Sequence, residues 1–268
     1  MNILERIVED TRTLVARRKT EVPAARLEAL PAFSRRALPL AEALRGPELA
    51  FLTEIKKASP SKGLLRPSFD PPALARGYAA HGADALSVLT EPSYFQGSLD
   101  DLAAVRAQVA LPLLRKDFVV DPYQLVEARA YGADAVLLIA AVLDAARLRD
   151  LHQTADALGL SCLVELYDVR ELDRIDFDLV RILGVNNRDL RTFEVDVDHS
   201  LRVFAHVPQG VVRVSESGLR SARELAHLRR HGVDAVLMGE TFMRADDPGA
   251  LLGTLREELR TLLRDEAA

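Results

Sequence analysis

His81-Gly82-Ala83-Asp84-Ala85, Tyr131-Gly132-Ala133-Asp134-Ala135 and His231-Gly232-Val233-Asp234-Ala235 are three versions of one phrase. Each runs into an apolar stretch of strand length: Leu86-Ser87-Val88-Leu89, Val136-Leu137-Leu138-Ile139 and Val236-Leu237-Met238. The glycines stand at 82, 132 and 232, so the gaps are 50 and 100 and a further member is expected near 182. There Leu179-Val180-Arg181-Ile182-Leu183-Gly184-Val185 is again apolar. Midway between these points lie Leu111-Pro112-Leu113-Leu114, Cys162-Leu163-Val164 and Val211-Val212-Arg213-Val214. The spacing thus halves to about 25 residues, with one buried strand and one helix in each unit.

The segments between the apolar runs carry helix punctuation. Asp70-Pro71 reads as an N-cap followed by proline in the first turn, where a missing N–H costs nothing. Ser98 precedes Leu99-Asp100-Asp101-Leu102 as another cap. Asp121-Pro122-Tyr123-Gln124, Asp168-Val169-Arg170-Glu171 and Ser221-Ala222-Arg223-Glu224 have capping-box spacing. The repeated glycines supply the residue that ends each helix. Strands are then predicted at 51–55, 86–89, 112–115, 136–139, 162–164, 182–185, 211–214 and 236–238.

Alternation of strand and helix makes the strands parallel, because each crossover must carry the chain back. Near-continuous apolar runs mean that both faces of the sheet are covered. Eight such units in about 220 residues predict an α/β protein with a closed (β/α)8 barrel. An open doubly wound sheet is the structural alternative. It lacks this regularity, and no Gly-x-Gly-x-x-Gly follows the first strand. Tandem solenoids have similar periods but repeat a surface motif absent here.

Residues 1–48 precede the barrel, which occupies 49–268. Ile3, Leu4, Ile7, Val8, Leu14 and Val15 follow helical spacing. They predict an amphipathic helix that docks on the barrel and covers one end. A helix reserved for a partner is the alternative.

Composition narrows the function. The 268 residues are 49% hydrophobic and 28% charged, as in a globular protein with a real core. A formal charge of −5 leaves no basic excess to track nucleic-acid phosphates. The longest apolar run, 135–143, is too short to span a bilayer, and the charged N-terminus has no signal-peptide core. Cys162 is the single cysteine, so neither a disulfide framework nor a thiolate zinc site is available. It lies in a strand and reads as core. The six histidines are scattered over predicted helices and loops, form no metal pattern and read mostly as solvated. No metal and no cofactor are expected. The reading is a cytoplasmic protein, monomeric or weakly self-associating, that meets a small molecule and neither nucleic acid nor membrane.

Thirty of the 35 basic residues are arginine; the five lysines are 19, 56, 57, 62 and 116. Arginine stays protonated near neutral pH, whereas lysine can exchange protons once burial or neighbours depress its pKa. The surviving lysines are therefore candidates for chemistry, against the plainer alternative of codon bias. In a (β/α)8 barrel the active site sits at the C-terminal ends of the strands. That rule selects Glu54, Lys56 and Ser59, then Lys116 and Asp117, Glu165, Asn186-Asn187-Arg188, Glu216-Ser217-Gly218 and Gly239-Glu240.

Glu54 and Lys56 are two apart on a strand and so share a side. Lys and Glu gathered in one pocket make a proton-transfer site. Ion pairs that merely fill the barrel are the alternative, but unneeded buried charge is costly. Gly218 and Gly239 at the last two strand ends suit close backbone approach by a phosphate. The long loop 59–69 could close over a ligand, and its Lys62 and Arg66 favour an anion.

The stretch Glu54-Ile55-Lys56-Lys57-Ala58-Ser59-Pro60-Ser61-Lys62-Gly63 resembles the signature of the indole-3-glycerol phosphate synthase family. The resemblance continues through Tyr94-Phe95-Gln96-Gly97-Ser98, Leu114-Arg115-Lys116-Asp117-Phe118, Leu163-Val164-Glu165, Gly184-Val185-Asn186-Asn187-Arg188-Asp189-Leu190, Ser215-Glu216-Ser217-Gly218 and Leu237-Met238-Gly239-Glu240. It spans nearly the whole chain, including the N-terminal extension. Leu166-Tyr167 departs from the Val-His of many members.

The resemblance implies a cofactor-free reaction. 1-(2-carboxyphenylamino)-1-deoxyribulose 5-phosphate would close its ring, lose CO2 and water, and become indole-3-glycerol phosphate. It implies Lys116 as general acid at the ketone oxygen and Glu165 as stabiliser of developing positive charge. It gives Glu54 and Lys56 to the dehydration and Asn186 and Arg188 to orientation, and it adds Ser59 to the substrate contacts. Phe95 and Phe118 would pack on the anthranilate ring. Ser217, Gly218, Gly239 and Glu240, with Lys56, would meet the phosphate. Another phosphosugar isomerase or epimerase barrel and a non-catalytic phosphometabolite-binding barrel are the rival readings. The first would want other acid–base or metal residues at the strand ends, and the second would be expected to have lost Lys116 or Glu165.

Overall fold

The computed structural model describes residues 3–189, 192 and 194–265, and in it the repeat closes into a barrel. Its strands are β1 (Ala50–Ile55), β2 (Ala85–Leu89), β3 (Leu113–Lys116) and β4 (Ala135–Ile139). They continue with β5 (Ser161–Leu166), β6 (Ile182–Asn186), β7 (Val212–Glu216) and β8 (Ala235–Met238). Neighbours in sequence are neighbours in space, all parallel, and β8 closes on β1 with Ala50 opposite Ala235 and Thr53 opposite Met238. The fold is the (β/α)8 barrel expected.

The repeated phrase has the same task in each unit, at the N-terminal end of the barrel. Gly82, Gly132 and Gly232 take φ of 89°, 88° and 81°, the left-handed turn that stops a helix without a Cβ penalty. The aspartate two residues on then stitches the next strand to its neighbour. Asp84 accepts the Phe51 N–H, Asp134 the Leu113 N–H and Asp234 the Arg213 N–H, at 2.7–2.9 Å. The backbone N–H of each aspartate returns a bond to the carbonyl of the same partner residue. The phrase therefore recurs because one turn and one carboxylate satisfy strand-end groups that would otherwise be orphaned.

The helices carry the predicted caps. Asp70 caps α4 (Pro71–Ala80) and Ser98 caps α5 (Leu99–Arg106). Full capping boxes open α6 (Pro122–Ala130) at Asp121 and α9 (Ala222–Arg230) at Ser221. The Asp168–Glu171 box also forms, but it opens a 3-10 turn, Val169–Arg174, instead of an α-helix. Asp176 ends it: its carbonyl accepts from Leu179 and Val180 and its side chain from Asp178, which turns the chain toward β6. Strand ends also differ. β5 and β7 each run two residues past the predicted stop, because the charged residues there still pair through their backbones, Glu165 with Gly184 and Glu216 with Asn186.

Residues ahead of the barrel cover both of its ends, where one was expected. Helix α3 (Leu40–Ala43) brings Leu40, with Leu44 after it, into the apolar cluster that includes Leu114, Leu163 and Val214 inside the barrel. Helix α1 (Ile3–Glu21) lies near the opposite end. Lys19 pairs with Asp121 at 2.6 Å, and Tyr94 donates to Asp10 at 2.6 Å. Among the described residues, no helix is long and apolar enough to cross a membrane.

Candidate active site

A cavity of about 620 Å³ opens at the C-terminal ends of the strands. Its charged floor follows from strand alternation, since residues two apart face the same way. Leu52, Leu114, Leu163 and Val214 belong to the apolar barrel interior. The residues two further on, Glu54, Lys116, Glu165 and Glu216, line the cavity. Every residue proposed from the sequence as catalytic, substrate-binding or phosphate-binding lines this one space: Glu54, Lys56, Ser59, Phe95, Lys116, Phe118, Glu165, Asn186, Arg188, Ser217, Gly218, Gly239 and Glu240.

The Lys116 ammonium donates to Glu165 Oε2 at 2.7 Å and lies 3.5 Å from Glu216 Oε2. Asn186 Nδ2 donates to the other Glu165 oxygen at 3.3 Å. Lys56 pairs closely with Glu54, as their shared side of the strand requires. Burial alone would depress the Lys116 pKa, but the fields of Glu165, Glu216 and Glu54 outweigh it and push it up. This reverses the expectation that neighbours lower a lysine here: those neighbours are carboxylates, and they hold Lys116 as an ammonium. Burial pushes Glu165 up, yet the Lys116 charge and hydrogen bond prevail and hold it below the ordinary carboxyl range. Burial also raises Glu216, and the Glu165 charge opposes its ionisation further, so its carboxyl sits well above the ordinary range.

One wall is aromatic. The Phe95 and Phe118 rings stand 6.1 Å apart between centroids. Ser59 comes from a two-residue ribbon, Ala58–Ser59 with Gly63–Leu64, inside the first long loop. The opposite side is backbone-rich. Ser217 and Gly218 both have positive φ, 70° and 81°. A Cβ on Gly218 would sit 2.1 Å from Val195 Cγ1, and one on Gly239 2.4 Å from Glu54 Oε1, so both positions need glycine. Asn187 braces this side from below, donating to Ser215 Oγ at 2.9 Å and to the Ser217 carbonyl at 3.3 Å. Arg188 pairs with Glu240 at 3.0 Å across the mouth.

Of the lining residues that sequence reasoning left without a role, two groups bear on the chemistry and the shape of the site. Glu216 was among the strand-end residues, yet it received no role; the positional rule that selected Glu165 applies to it equally. Ile3, Leu4 and Ile7 of α1 also line the cavity. Their helical spacing was visible, but nothing local said which end they would reach. His152, buried in α7 (Ala145–Ala157), is the one exception to the reading of most histidines as solvated. Leu190 of the resemblance motif lies outside the described residues. Among the described residues, no group of His, Cys, Asp and Glu is arranged to hold a metal ion.

A family model described as indole-3-glycerol phosphate synthase matches residues 4–255. The chain belongs to that family. The indole-3-glycerol phosphate synthase of Salinibacter ruber is 55% identical over the full length of both proteins. That of Rhodopirellula baltica is 46% identical over 92% of this chain and 96% of its own. Members of the family are carboxy-lyases of tryptophan biosynthesis. The fold is shared more widely. Tryptophan synthase subunit alpha from Legionella pneumophila superposes with a TM-score of 0.60 at 12% identity, covering 83% of this chain and 98% of that one. Thiamine phosphate pyrophosphorylase from Pyrococcus furiosus gives 0.59 at 17% identity, covering 84% and 100%.

Proposed function

We propose that this cavity closes the indole ring of 1-(2-carboxyphenylamino)-1-deoxyribulose 5-phosphate, releasing CO2 and water and leaving indole-3-glycerol phosphate. The observation that carries the reading is the 2.7 Å Lys116–Glu165 pair on the floor between an aromatic wall and a glycine-lined turn. The two walls suit the two ends of such a substrate. Phe95 and Phe118 take the carboxyphenyl ring. The backbone of Ser217, Gly218, Gly239 and Glu240 takes the phosphate, with Lys56 adding charge.

Lys116 is the general acid: it protonates the ketone oxygen while the ring carbon attacks. Its neighbours keep the proton on it at neutral pH, and the new C–O–H of the substrate offers that proton a place to go. Glu165 faces the positive charge that develops on the ring and nitrogen before CO2 leaves. Glu54 and Lys56, already paired, serve the departure of water. Asn186 orients Glu165 through its side-chain amide, and Arg188 and Ser59 hold the substrate hydroxyls and ring. No metal or organic cofactor enters any of these steps.

Work as a cytoplasmic monomer is part of the same reading. Its supports are a lone buried cysteine and few exposed large apolar side chains, Leu30, Leu64, Val169 and Val195 among the described residues. Purified protein incubated with the carboxyphenylamino substrate is expected to generate indole fluorescence. Absence of turnover by folded protein rejects the reading.

A further inference from the structure

The two rings of the aromatic wall are held by a set of buried polar groups of which Asp117 alone lines the cavity. Phe118 follows Asp117, whose Oδ1 accepts the Phe118 N–H at 2.8 Å. The other oxygen of Asp117 accepts the Thr90 hydroxyl at 2.6 Å and Arg115 Nη2 at 2.9 Å. Lys116 faces into the barrel, so Arg115 beside it faces out, and there it has no exposed surface. Its remaining donors reach Thr90 Oγ1 at 3.1 Å, the Gln124 carbonyl at 2.6 Å and Glu127 Oε2 at 3.1 Å. Gln124 closes the circuit by donating to the Phe118 carbonyl at 2.9 Å.

Across the wall, Phe95 sits in a turn gathered by one carboxylate. Glu91 accepts the Ser93, Tyr94 and Phe95 N–H groups at 2.9, 2.6 and 3.0 Å. The turn has no slack: Gln96 has φ of 54°, and a Cβ on Gly97 would lie 2.1 Å from the Leu89 carbonyl oxygen. Thr90 and Glu91 are consecutive, so the braces of the two rings meet at one point of the backbone.

We propose that Thr90, Glu91 and Arg115 are positioning residues for the ring end of the substrate, fixing the separation and tilt of Phe95 and Phe118 as one unit. This rests on the reading of those two rings as contacts of the carboxyphenyl group. A buried guanidinium with every nitrogen hydrogen-bonded has one low-energy arrangement, and that arrangement rigidifies what it touches. A wall set in advance holds the ring where the carbon–carbon bond must form and loses less freedom on binding. A network serving stability alone would have no reason to favour one end of the substrate.

Arg115→Met leaves the buried Asp117 without its cation and Glu127 with only Arg18 at 3.5 Å, and is expected to unfold, so it is not the probe. Thr90→Val keeps the side-chain shape and removes its bonds to Asp117 and Arg115, and Glu91→Gln keeps the shape but replaces one of the two accepting oxygens with an NH2 group that cannot accept. Each is expected to raise KM for the carboxyphenylamino substrate about tenfold, with kcat changing less. Inhibition by ribulose 5-phosphate, which lacks the ring, should stay within about twofold. Adding Thr90→Val to Phe118→Leu should cost nothing further, because both changes act through one ring. Equal weakening of the two ligands, additive losses in the double variant, or an unchanged KM in folded Thr90→Val overturns the proposal. If the unsubstituted protein does not turn over at all, the functional reading falls instead. The ring pair in a crystal structure of Thr90→Val then decides: displaced rings support the bracing role, and unmoved rings overturn it.

Discussion

Leu163 and Glu165 lie two residues apart on β5 and face the same way into the barrel, yet one packs in grease and the other pairs with an ammonium. The same contrast recurs at Leu52 and Glu54, Leu114 and Lys116, and Val214 and Glu216. A rise of about 3.3 Å per residue separates the two layers by roughly 7 Å. Below, Leu40 and Leu44 seal an interior of aliphatic side chains. Above, three carboxyl groups and two ammoniums share the cavity floor. Stability and chemistry are thus stacked on the same strands. Burying an ion costs several kcal/mol unless it is paired, so the upper layer is built from pairs. Glu54 pairs with Lys56 and Glu165 with Lys116, which leaves Glu216 as the odd carboxyl.

If the layers are separable, each can be broken alone. The largest effect is expected in the upper one. Lys116→Ala should lower kcat by at least ~100-fold, the scale of a lost general acid, while thermal unfolding still shows a folded barrel. Glu165→Gln should be similarly damaging. Near-normal turnover by folded Lys116→Ala would remove the role assigned to it. Leu40→Ala attacks the lower layer: about 2–5 kcal/mol lost in urea unfolding, with kcat within about twofold of the parent protein. A fall in kcat on the scale of the Lys116 variant would mean that floor and plug are one unit. Arg188→Ala, which cuts the link to Glu240, should raise KM about tenfold with a smaller change in kcat. Steady-state kinetics that reverse this split would move Arg188 from binding to chemistry.

Much of this was legible in the sequence. The Gly-Ala-Asp phrase marks a bond pattern repeated at each strand start, so its spacing counted the strands. The strand-end rule then gathered Lys116, Glu165 and the rest into one cavity. What the sequence hid depends on neighbours distant along the chain. The direction of the Lys116 shift is set by Glu165, Glu216 and Glu54 together, from three other strands. The reach of α1 to the mouth depends on Asp10 finding Tyr94 and Lys19 finding Asp121. The 3-10 turn after β5 carries a correct capping box and is cut short by the bonds Asp176 makes, which local propensity does not encode.

The smallest expected effect is the sharpest test of how the upper layer is balanced. With Glu216 neutral, two carboxylates face two ammoniums; with it ionised, the floor carries a net −1. The folded carboxyl of Glu216 is raised by burial and by Glu165, whereas in the unfolded chain it titrates near ~4.3. Below that pH both states hold the proton and nothing is gained or lost. Above it the unfolded chain releases the proton and the folded chain keeps it, so stability falls as pH rises toward the folded value. Glutamine mimics the protonated form and escapes this cost. Glu216→Gln should therefore unfold at the same temperature as the parent near pH 4 and about 2–4 °C higher at pH 8. Glu165 is shifted the other way, so Glu165→Gln should be less stable than the parent by a constant amount above about pH 4.3, a deficit that fades only as pH falls through the lowered folded value. If both variants lose stability at pH 8, Glu216 is ionised in the folded protein, and Lys116 is then held by two carboxylates at once instead of by one carboxylate beside a neutral acid.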